Sequence, residues 1–259
     1  MNKQNVSLII CTYNEEKYVS NVVRACCEYN PEAEIIVVDD GSTDKTESLL
    51  QELAGSYTFI YEQLPKNKGK SWAMVHGVEK STREIILFFD ADVSQINPEH
   101  FTLLLEPIFS GEADMVLGQP SDTMIDYRIN PFRALTGERA LLKKDIEPIL
   151  EDIREIRFGV ETFINLYFQS HEKKLKYVLL EGLKHPVKYE KTSYFDATID
   201  FLNEGKEITL TLIKNYNLIA KRIEALTAFE SRDAIREKFA DMQKEVNQKL
   251  QELRKTFKV

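Results

Sequence analysis

Short apolar runs, each ending in a polar cluster, constrain the fold of this chain most strongly. Val6–Cys11, Glu34–Asp39 and Glu84–Phe89 are apolar along most of their length, which is typical of strands buried on both faces of a parallel sheet. Tyr57–Tyr61 and Asp114–Leu117 have weaker patterns of the same kind and predict two further strands.

Helices are predicted between these strands. One extends from Glu15 to about Tyr29 and another over Lys68–Val78, while Ser42 or Thr43 can cap a helix that includes Leu49, Leu50 and Leu53. Strands that alternate with helices at this spacing predict an α/β fold with a doubly wound, mostly parallel sheet.

After Gln119 the pattern becomes mainly helical. Helices are predicted over Arg133–Lys144, Ile146–Ile156 and Gly159–Ser170. Strands are predicted over Leu175–Leu180 and Val187–Tyr189. The residues beyond Thr192 are expected to be almost entirely helical.

Polar clusters follow three of the predicted strands directly. These are Cys11-Thr12-Tyr13-Asn14, Asp39-Asp40-Gly41-Ser42 and Asp90-Ala91-Asp92. Ligands of doubly wound sheets bind beyond the carboxyl ends of the strands, so we expect the three clusters to meet at one edge of the sheet.

Asp90-Ala91-Asp92 is the most specific of these motifs. Two carboxylates on either side of a small residue can reach one hard cation, and Mg²⁺ and Mn²⁺ commonly bind carboxylates together with phosphates. An isolated motif of this length can also be only a helix cap or a solvated turn. Its position after a buried strand, with two companion clusters, favours a metal site.

Two further motifs are suited to a nucleotide. A carboxylate of Asp39 or Asp40 can accept a hydrogen bond from a base or a ribose, and Gly41 permits a tight turn. In Asn67-Lys68-Gly69-Lys70, the charge of Lys70 can contact a diphosphate. Each motif alone is equally consistent with an ordinary strand-to-helix turn or a solvated basic loop.

The segments VSLIICTYNEE, EIIVVDDGSTDKT, NKGKSWAMVHGV and IILFFDADV occur in this order along the chain. They resemble the nucleotide-sugar-binding half of family 2 inverting glycosyltransferases and their close relatives, from about Val6 to Gln119. The resemblance implies a GT-A fold. One departure is Ser71, where the family often has glycine.

The resemblance also implies roles for individual residues. Thr12 and Glu15, next to Asn14 and with Asp39 or Asp40, would hold the nucleoside, and Lys70 would contact the donor. Asp90 and Asp92 would hold ribose, diphosphate and a Mg²⁺ or Mn²⁺ ion. The donor would be a nucleoside-diphosphate hexose such as a UDP- or GDP-sugar.

The second half resembles two subgroups. Leu135-Thr136-Gly137-Glu138-Arg139-Ala140 is similar to the acceptor-side segment of polyprenyl-phosphate sugar transferases, where Arg133 and Arg139 would face a phosphate. Glu161 lies in a segment similar to both those enzymes and the glucosyl-3-phosphoglycerate synthases, and would orient the acceptor or act as base. His185 resembles the third metal ligand of the synthases.

These features predict a metal-dependent glycosyltransferase with a phosphate-bearing acceptor, polyprenyl phosphate above all. A phosphate is already anionic and needs positioning more than a general base. The alternatives are a synthase-like enzyme that glucosylates a small phosphorylated acid, and a sugar-nucleotide-binding module without turnover. A nucleotidyltransferase is less favoured, because it would have a Gly-rich basic loop after the first strand.

Charge divides the chain into two parts. The net charge is −8, which argues against nucleic acid as a partner. Residues 205–259 carry 12 Lys/Arg and 8 Asp/Glu around a near-heptad apolar stripe, so we predict that they form a basic amphipathic helical tail. The tail would follow a GT-A domain over 1–204. This domain is divided into a donor half (1–119) and an acceptor half (120–204). The tail would form a homodimer or lie on a membrane.

The location follows from what the sequence lacks. It has no apolar run of about 18 residues, and its three cysteines suggest no disulfide framework. We therefore expect a cytoplasmic protein, with peripheral contact at the inner membrane face if the tail binds lipid.

Overall fold

A computed structural model describes residues 3–121, 136–154, 156 and 159–185. Within these residues one seven-stranded sheet has the order β3-β2-β1-β4-β6-β5-β7. The strands are β1 (Val6–Thr12), β2 (Glu34–Asp39), β3 (Ile60–Gln63), β4 (Ile85–Asp90), β5 (Met115–Pro120), β6 (Arg139–Leu142) and β7 (Leu175–Leu180). β6 is antiparallel to both of its neighbours, and the other pairs are parallel.

Helices connect the strands and cover the sheet. They are α1 (Val19–Tyr29), α2 (Thr46–Leu53), α3 (Lys70–Lys80), α4 (Pro98–Phe109), α5 (Lys143–Ile146), α6 (Leu150–Arg154) and α7 (Val160–Ser170). Short 3₁₀ helices cover Lys3–Asn5 and Glu147–Ile149. The predicted α/β fold with a mostly parallel sheet is confirmed.

Alternating side chains divide the core between the two faces of the sheet. Leu8 and Ile10 of β1 pack with α1, α2 and α4, while Ile9 between them packs with α3 and α7 on the opposite face. Successive side chains of a strand point to opposite faces. Both faces are therefore apolar and buried, which explains why the central strands are apolar runs without alternation.

The helix predicted over Arg133–Lys144 is wrong in its described part, because Arg139–Leu142 is strand β6. Its backbone pairs with β4 on one side and β5 on the other. A short apolar run has no periodicity that separates a buried strand from a buried helix, so tertiary pairing decides. This insertion makes the sheet mixed between β4 and β5.

Three helix boundaries also differ from the prediction. The α2 helix begins at Thr46, and neither Ser42 nor Thr43 caps it. The α1 helix begins at Val19, after a turn that starts at Glu15. The segment predicted as one helix over Ile146–Ile156 is interrupted by the 3₁₀ helix at Glu147–Ile149, whose proline restricts the backbone.

Several predictions fall outside the described residues. These are the strand at Val187–Tyr189, Arg133, the helical residues beyond Thr192 and the tail at 205–259. Among the described residues, no helix combines the length and apolar character needed to cross a membrane.

Candidate active site

Strand register brings the three polar clusters to one edge of the sheet, as predicted. Thr12 lies opposite Asp39 in the β1–β2 pairing, and Cys11 lies opposite Asp90 in the β1–β4 pairing. The Asp40 N–H donates to the Thr12 carbonyl at 2.9 Å. The ends of three adjacent parallel strands therefore form a single site.

The loops after β1 and β2 are joined by hydrogen bonds. Asn14 has a left-handed backbone (φ 56°), its N–H donates to Ser42 Oγ at 3.0 Å, and its Oδ1 accepts from the Thr43 N–H at 2.8 Å. The Glu15 N–H donates to Thr46 Oγ1 at 2.9 Å. Asn14 and Glu15 are thus held beside the second cluster, where the sequence predicted a nucleoside contact.

Asp39 is fully buried at the end of β2. Its Oδ1 accepts from the Ser42 N–H at 2.8 Å, and its Oδ2 accepts from the Tyr61 hydroxyl at 3.1 Å. Burial and the Asp39 carboxylate together raise the pKa of Tyr61, so the phenol stays protonated and donates. Asp39 therefore holds the turn through its own side chain.

Asp40 joins the β2 loop to the start of α3. Its two oxygens accept from the Lys68 N–H at 2.8 Å and the Gly69 N–H at 2.7 Å. Burial raises the pKa of Asp40, although these hydrogen bonds oppose the shift. Gly41 has φ +73°, and a Cβ there would lie 2.6 Å from the Lys66 carbonyl carbon. The two loops are in backbone contact at this glycine.

Lys70 is the first residue of α3 and bridges two carboxylates. Its Nζ lies 2.8 Å from Asp90 Oδ1 and 3.0 Å from Glu161 Oε1. Burial acts to lower the pKa of Lys70, but the two carboxylates outweigh it and raise the pKa well above its usual value. The ammonium is therefore a permanent positive charge beside Asp90.

Asp90, Asp92 and His185 converge. Each offers one ligand atom, and these atoms all lie within 4.8 Å of one another. An isolated antiparallel bridge explains how a residue beyond β7 reaches β4, because Ser94 and Lys184 exchange hydrogen bonds at 2.9 and 3.1 Å. The bridge places His185 next to the two aspartates that the sequence predicted as metal ligands.

His185 is held by a second carboxylate behind the cluster. Its Nε2 lies 3.2 Å from Glu138 Oε1, and its Nδ1 lies 3.8 Å from Asp92 Oδ1. Burial acts to lower the pKa of His185, but Glu138, Asp90 and Asp92 outweigh it and raise the pKa to about 9. The imidazole therefore carries a positive charge at neutral pH when only these groups surround it.

Arg139 does not present its guanidinium to solvent. It is fully buried in β6, and its Nη1 donates to Asn165 Oδ1 at 3.3 Å. Burial lowers the pKa of Arg139, while Glu161 and Asp90 act in the opposite direction. Its predicted contact with an acceptor phosphate stays a prediction, as does that of Arg133, which lies outside the described residues.

Glu161 lies in the first turn of α7, two residues after the left-handed N-cap Gly159 (φ 79°). A carboxylate at a helix N-terminus is stabilised by the helix dipole. Its ion pair with Lys70 brings α7 to the site, with 13% of the Glu161 side chain exposed.

Sequence reasoning missed four residues that shape the site. They are Tyr61, which holds Asp39, Thr46, which holds the loop after β1, Gly137, which packs on Asp90, and Glu138, which holds His185. Thr46, Gly137 and Glu138 lie within the segments that carry the family resemblance, which is the signal that could have found them. The contact of Tyr61 with Asp39 depends on tertiary pairing and has no local signal.

The fold is similar to that of solved GT-A glycosyltransferases. A crystal structure of glucosyl-3-phosphoglycerate synthase from Mycobacterium tuberculosis with Mn²⁺, uridine diphosphate and phosphoglyceric acid matches with a TM-score of 0.63 and 19% identity, over 81% of this chain and 78% of that one. Fold and site together define an α/β protein of the GT-A type.

The family model for glycosyl transferase family 2 matches residues 7–176. The chain therefore belongs to glycosyl transferase family 2. Among similar proteins, dolichol-phosphate mannosyltransferase of Pyrococcus furiosus is 37% identical over 166 residues, covering 62% of this chain and 46% of that protein. Undecaprenyl-phosphate 4-deoxy-4-formamido-L-arabinose transferase of Pectobacterium carotovorum is 34% identical over 109 residues, covering 40% and 33%. The chain spans less than half the length of these two relatives.

Proposed function

We propose that the protein is a metal-dependent glycosyltransferase that moves a hexose from a UDP- or GDP-sugar to a phosphate-bearing acceptor, with polyprenyl phosphate as the leading candidate. One observation carries the proposal. Asp90, Asp92 and His185 converge within 4.8 Å at the sheet edge that also carries Asp39 and Asp40.

The donor atoms of this cluster fit Mg²⁺ or Mn²⁺. Two carboxylates and one imidazole are ligands that Mn²⁺ accepts readily, and Mg²⁺ binds through one or two carboxylates together with phosphates. Asp90, Asp92 and His185 would hold the ion. When bound, it would supply charge neutralisation for the leaving nucleoside diphosphate.

The donor would lie across the ends of β1, β2 and β4. Thr12, Asn14 and Glu15 with the Asp39–Asp40 loop would hold the nucleoside, since that loop is rigidly joined to its neighbours. Lys70 would contribute a fixed positive charge next to the diphosphate, and its side chain is 38% exposed. Glu161 would orient Lys70 through their ion pair.

In the reaction, an acceptor phosphate oxygen forms a bond to the anomeric carbon of the hexose. The bond from that carbon to the diphosphate oxygen breaks, and the nucleoside diphosphate leaves with the electron pair. Because the nucleophile is already an anion, the protein has to position it and to balance charge. Arg133 would face the acceptor phosphate, and the buried Arg139 would serve the acceptor side by holding neighbouring groups such as Asn165.

The names of the relatives support a polyprenyl-phosphate acceptor, since dolichol phosphate and undecaprenyl phosphate appear in them. A membrane-bound acceptor is consistent with a cytoplasmic enzyme whose basic tail at 205–259 contacts the inner membrane face. The same tail could instead join two copies of the chain. Flotation with anionic vesicles, compared with the chain ended at residue 204, distinguishes these two roles.

A second candidate is a synthase that glucosylates a small phosphorylated acid. The observation that favours it is the convergence of His185 with Asp90 and Asp92, together with a fold similar to a synthase crystallised with Mn²⁺ and phosphoglyceric acid. Partition of a radiolabelled product separates the two candidates. Label in the organic phase supports the polyprenyl acceptor, and label confined to the aqueous phase contradicts it.

A thermal-shift panel of nucleotide-sugars with Mn²⁺ or with chelator tests the proposal as a whole. Ligand at a hundred times its Kd stabilises by about 2.7 kcal/mol, which corresponds to roughly 5–10 °C for a chain of this size. We expect a shift for one donor, only with metal, and its loss in Asp92→Ala. Donor binding and turnover unchanged in that variant would show that the metal assignment is wrong, and binding without turnover would indicate a non-catalytic module.

A further inference from the structure

The segment Thr136–Glu138 lies directly behind the cluster of Asp90, Asp92 and His185. We propose that Glu138 is a positioning residue that holds the His185 ring so that Nδ1 faces the two aspartates. This inference rests on the proposed function, because it concerns the same metal site. It adds a fourth residue, which would act on the ion through His185.

The contacts of His185 are divided between its two nitrogens. Nε2 lies 3.2 and 3.3 Å from the two oxygens of Glu138, and Nδ1 lies 3.8 Å from Asp92 Oδ1. An ionised carboxylate only accepts hydrogen bonds, so it keeps the ring proton on Nε2, and the proton that a bound metal ion would displace to solvent is the one on Nδ1. The lone pair of Nδ1 is then available on the side of the aspartates, and the ring cannot turn without breaking the contact.

Glu138 itself has little freedom to move. It is fully buried, its Oε2 accepts from Thr136 Oγ1 at 2.8 Å, and its backbone carbonyl accepts from the Gly118 N–H of β5 at 2.9 Å. A buried carboxylate with both side-chain and backbone anchors is a rigid support. The position of the imidazole is therefore determined by β5 and β6 as well as by the chain around His185.

The same segment also supports a second ligand. A Cβ placed on Gly137 would lie 2.0 Å from Asp90 Oδ2 and 2.3 Å from Asp90 Cγ. The backbone of Gly137 therefore packs directly against this carboxylate. Adjacent residues of one turn thus contact Asp90 at the end of β4 and His185 beyond the end of β7.

The chain offers a matched control for Glu138. Glu62 Oε2 lies 2.9 Å from His76 Nε2, which is a carboxylate–histidine contact on β3 and α3, outside the cluster. A general loss of stability from removing such a contact should appear whether Glu138 or Glu62 is replaced. An effect on the metal should appear only at Glu138.

The test measures Mn²⁺ affinity of the full chain with UDP present, from the electron paramagnetic resonance signal of free Mn²⁺. Glu138→Leu should weaken Mn²⁺ binding about 10–100-fold, the range found for residues that support metal-bound histidines. Glu138→Gln should weaken it less, because an amide oxygen still accepts from Nε2–H. Glu62→Gln should leave the affinity unchanged.

Nitrogen NMR of the histidine side chains, with Mg²⁺ and UDP, adds a readout that a purely structural role would not move. The wild type should show His185 with its proton on Nε2 alone. Glu138→Gln should show both ring forms, because an amide can donate as well as accept. This variant also decides the matter if Glu138→Leu does not fold.

The outcomes separate the two proposals. Wild-type Mn²⁺ affinity and a single ring form in Glu138→Gln would overturn the positioning role. If Asp92→Ala lost Mn²⁺ affinity in the same experiment, the proposed metal site would stand even though the positioning role of Glu138 had been overturned. A wild-type chain that bound no Mn²⁺ in the presence of UDP would overturn both.

Discussion

Gly41 offers the sharpest test of the site's architecture, because the chain contains a matched glycine elsewhere. Gly41 has φ +73° and Gly111 has φ +71°, so alanine meets the same backbone strain at both positions. A Cβ at Gly111 has nothing within 4 Å, whereas at Gly41 it would lie 2.6 Å from the Lys66 carbonyl carbon and 2.8 Å from the Asn67 nitrogen.

The expected magnitudes follow from these two environments. Left-handed backbone costs alanine about 1–2 kcal/mol, and this applies to Gly41→Ala and Gly111→Ala alike. Overpacking adds about 1–3 kcal/mol at Gly41 alone, because the atoms in its way are backbone and cannot rotate aside. We expect Gly41→Ala to lose about 2–5 kcal/mol in total and Gly111→Ala about 1–2 kcal/mol.

Urea unfolding followed by circular dichroism measures the free energy of unfolding of both variants. Calorimetry with UDP should show a second difference, because a shift of the Lys66 loop strains the hydrogen bonds that Asp40 accepts from Lys68 and Gly69. Equal destabilisation of the two variants would refute the close approach of the loops. UDP affinity unchanged in Gly41→Ala would refute its connection to the donor site.

Three other variants test separate contacts. Gly137→Ala should reduce Mn²⁺ affinity at least about tenfold by displacing Asp90, and unchanged affinity in calorimetry would contradict the packing. Tyr61→Phe leaves a buried carboxylate without one donor and should cost about 1–3 kcal/mol in urea unfolding, whereas a neutral result would argue against the bond. Burial acts to raise the pKa of Glu34, but hydrogen bonds from Ser7 and Thr82 outweigh it and lower the pKa. The stabilisation from the ionised Glu34 carboxylate is present above its unfolded pKa of about 4.3 and disappears as pH falls through the folded pKa. Glu34→Gln should therefore lower the free energy of unfolding by about 1 kcal/mol at pH 7 and approach the wild-type value below about pH 4. A constant difference across pH would contradict this.

The donor half of the fold could be predicted because its signals are local. Apolar runs such as Val6–Cys11 are buried on both faces, and the residues after them lie at the carboxyl edge in any parallel sheet. The convergence of Asp39 and Asp90 therefore followed from sequence order alone. Their detailed partners did not, because Tyr61 and the Lys68 amide reach them through tertiary packing.

The acceptor half was harder to predict for a physical reason. Arg139–Leu142 is a strand only because β4 and β5 lie on either side of it, and the same four residues would suit a helix elsewhere. His185 was suggested by resemblance to known metal sites, since a lone histidine has no pattern of its own. The bridge between Ser94 and Lys184, which delivers it to the cluster, joins residues that are distant in sequence.

The insertion of β6 between β4 and β5 has a consequence for synthesis. The outer edge of β4 acquires its partner only when Arg139–Leu142 has left the ribosome, long after β1, β2 and β4 can pair. An open strand edge is a site where other chains can add. The nascent protein therefore passes through a stage in which the strand that carries Asp90 is paired on one side only, and slow translation across residues 91–138 would lengthen the exposure of that edge.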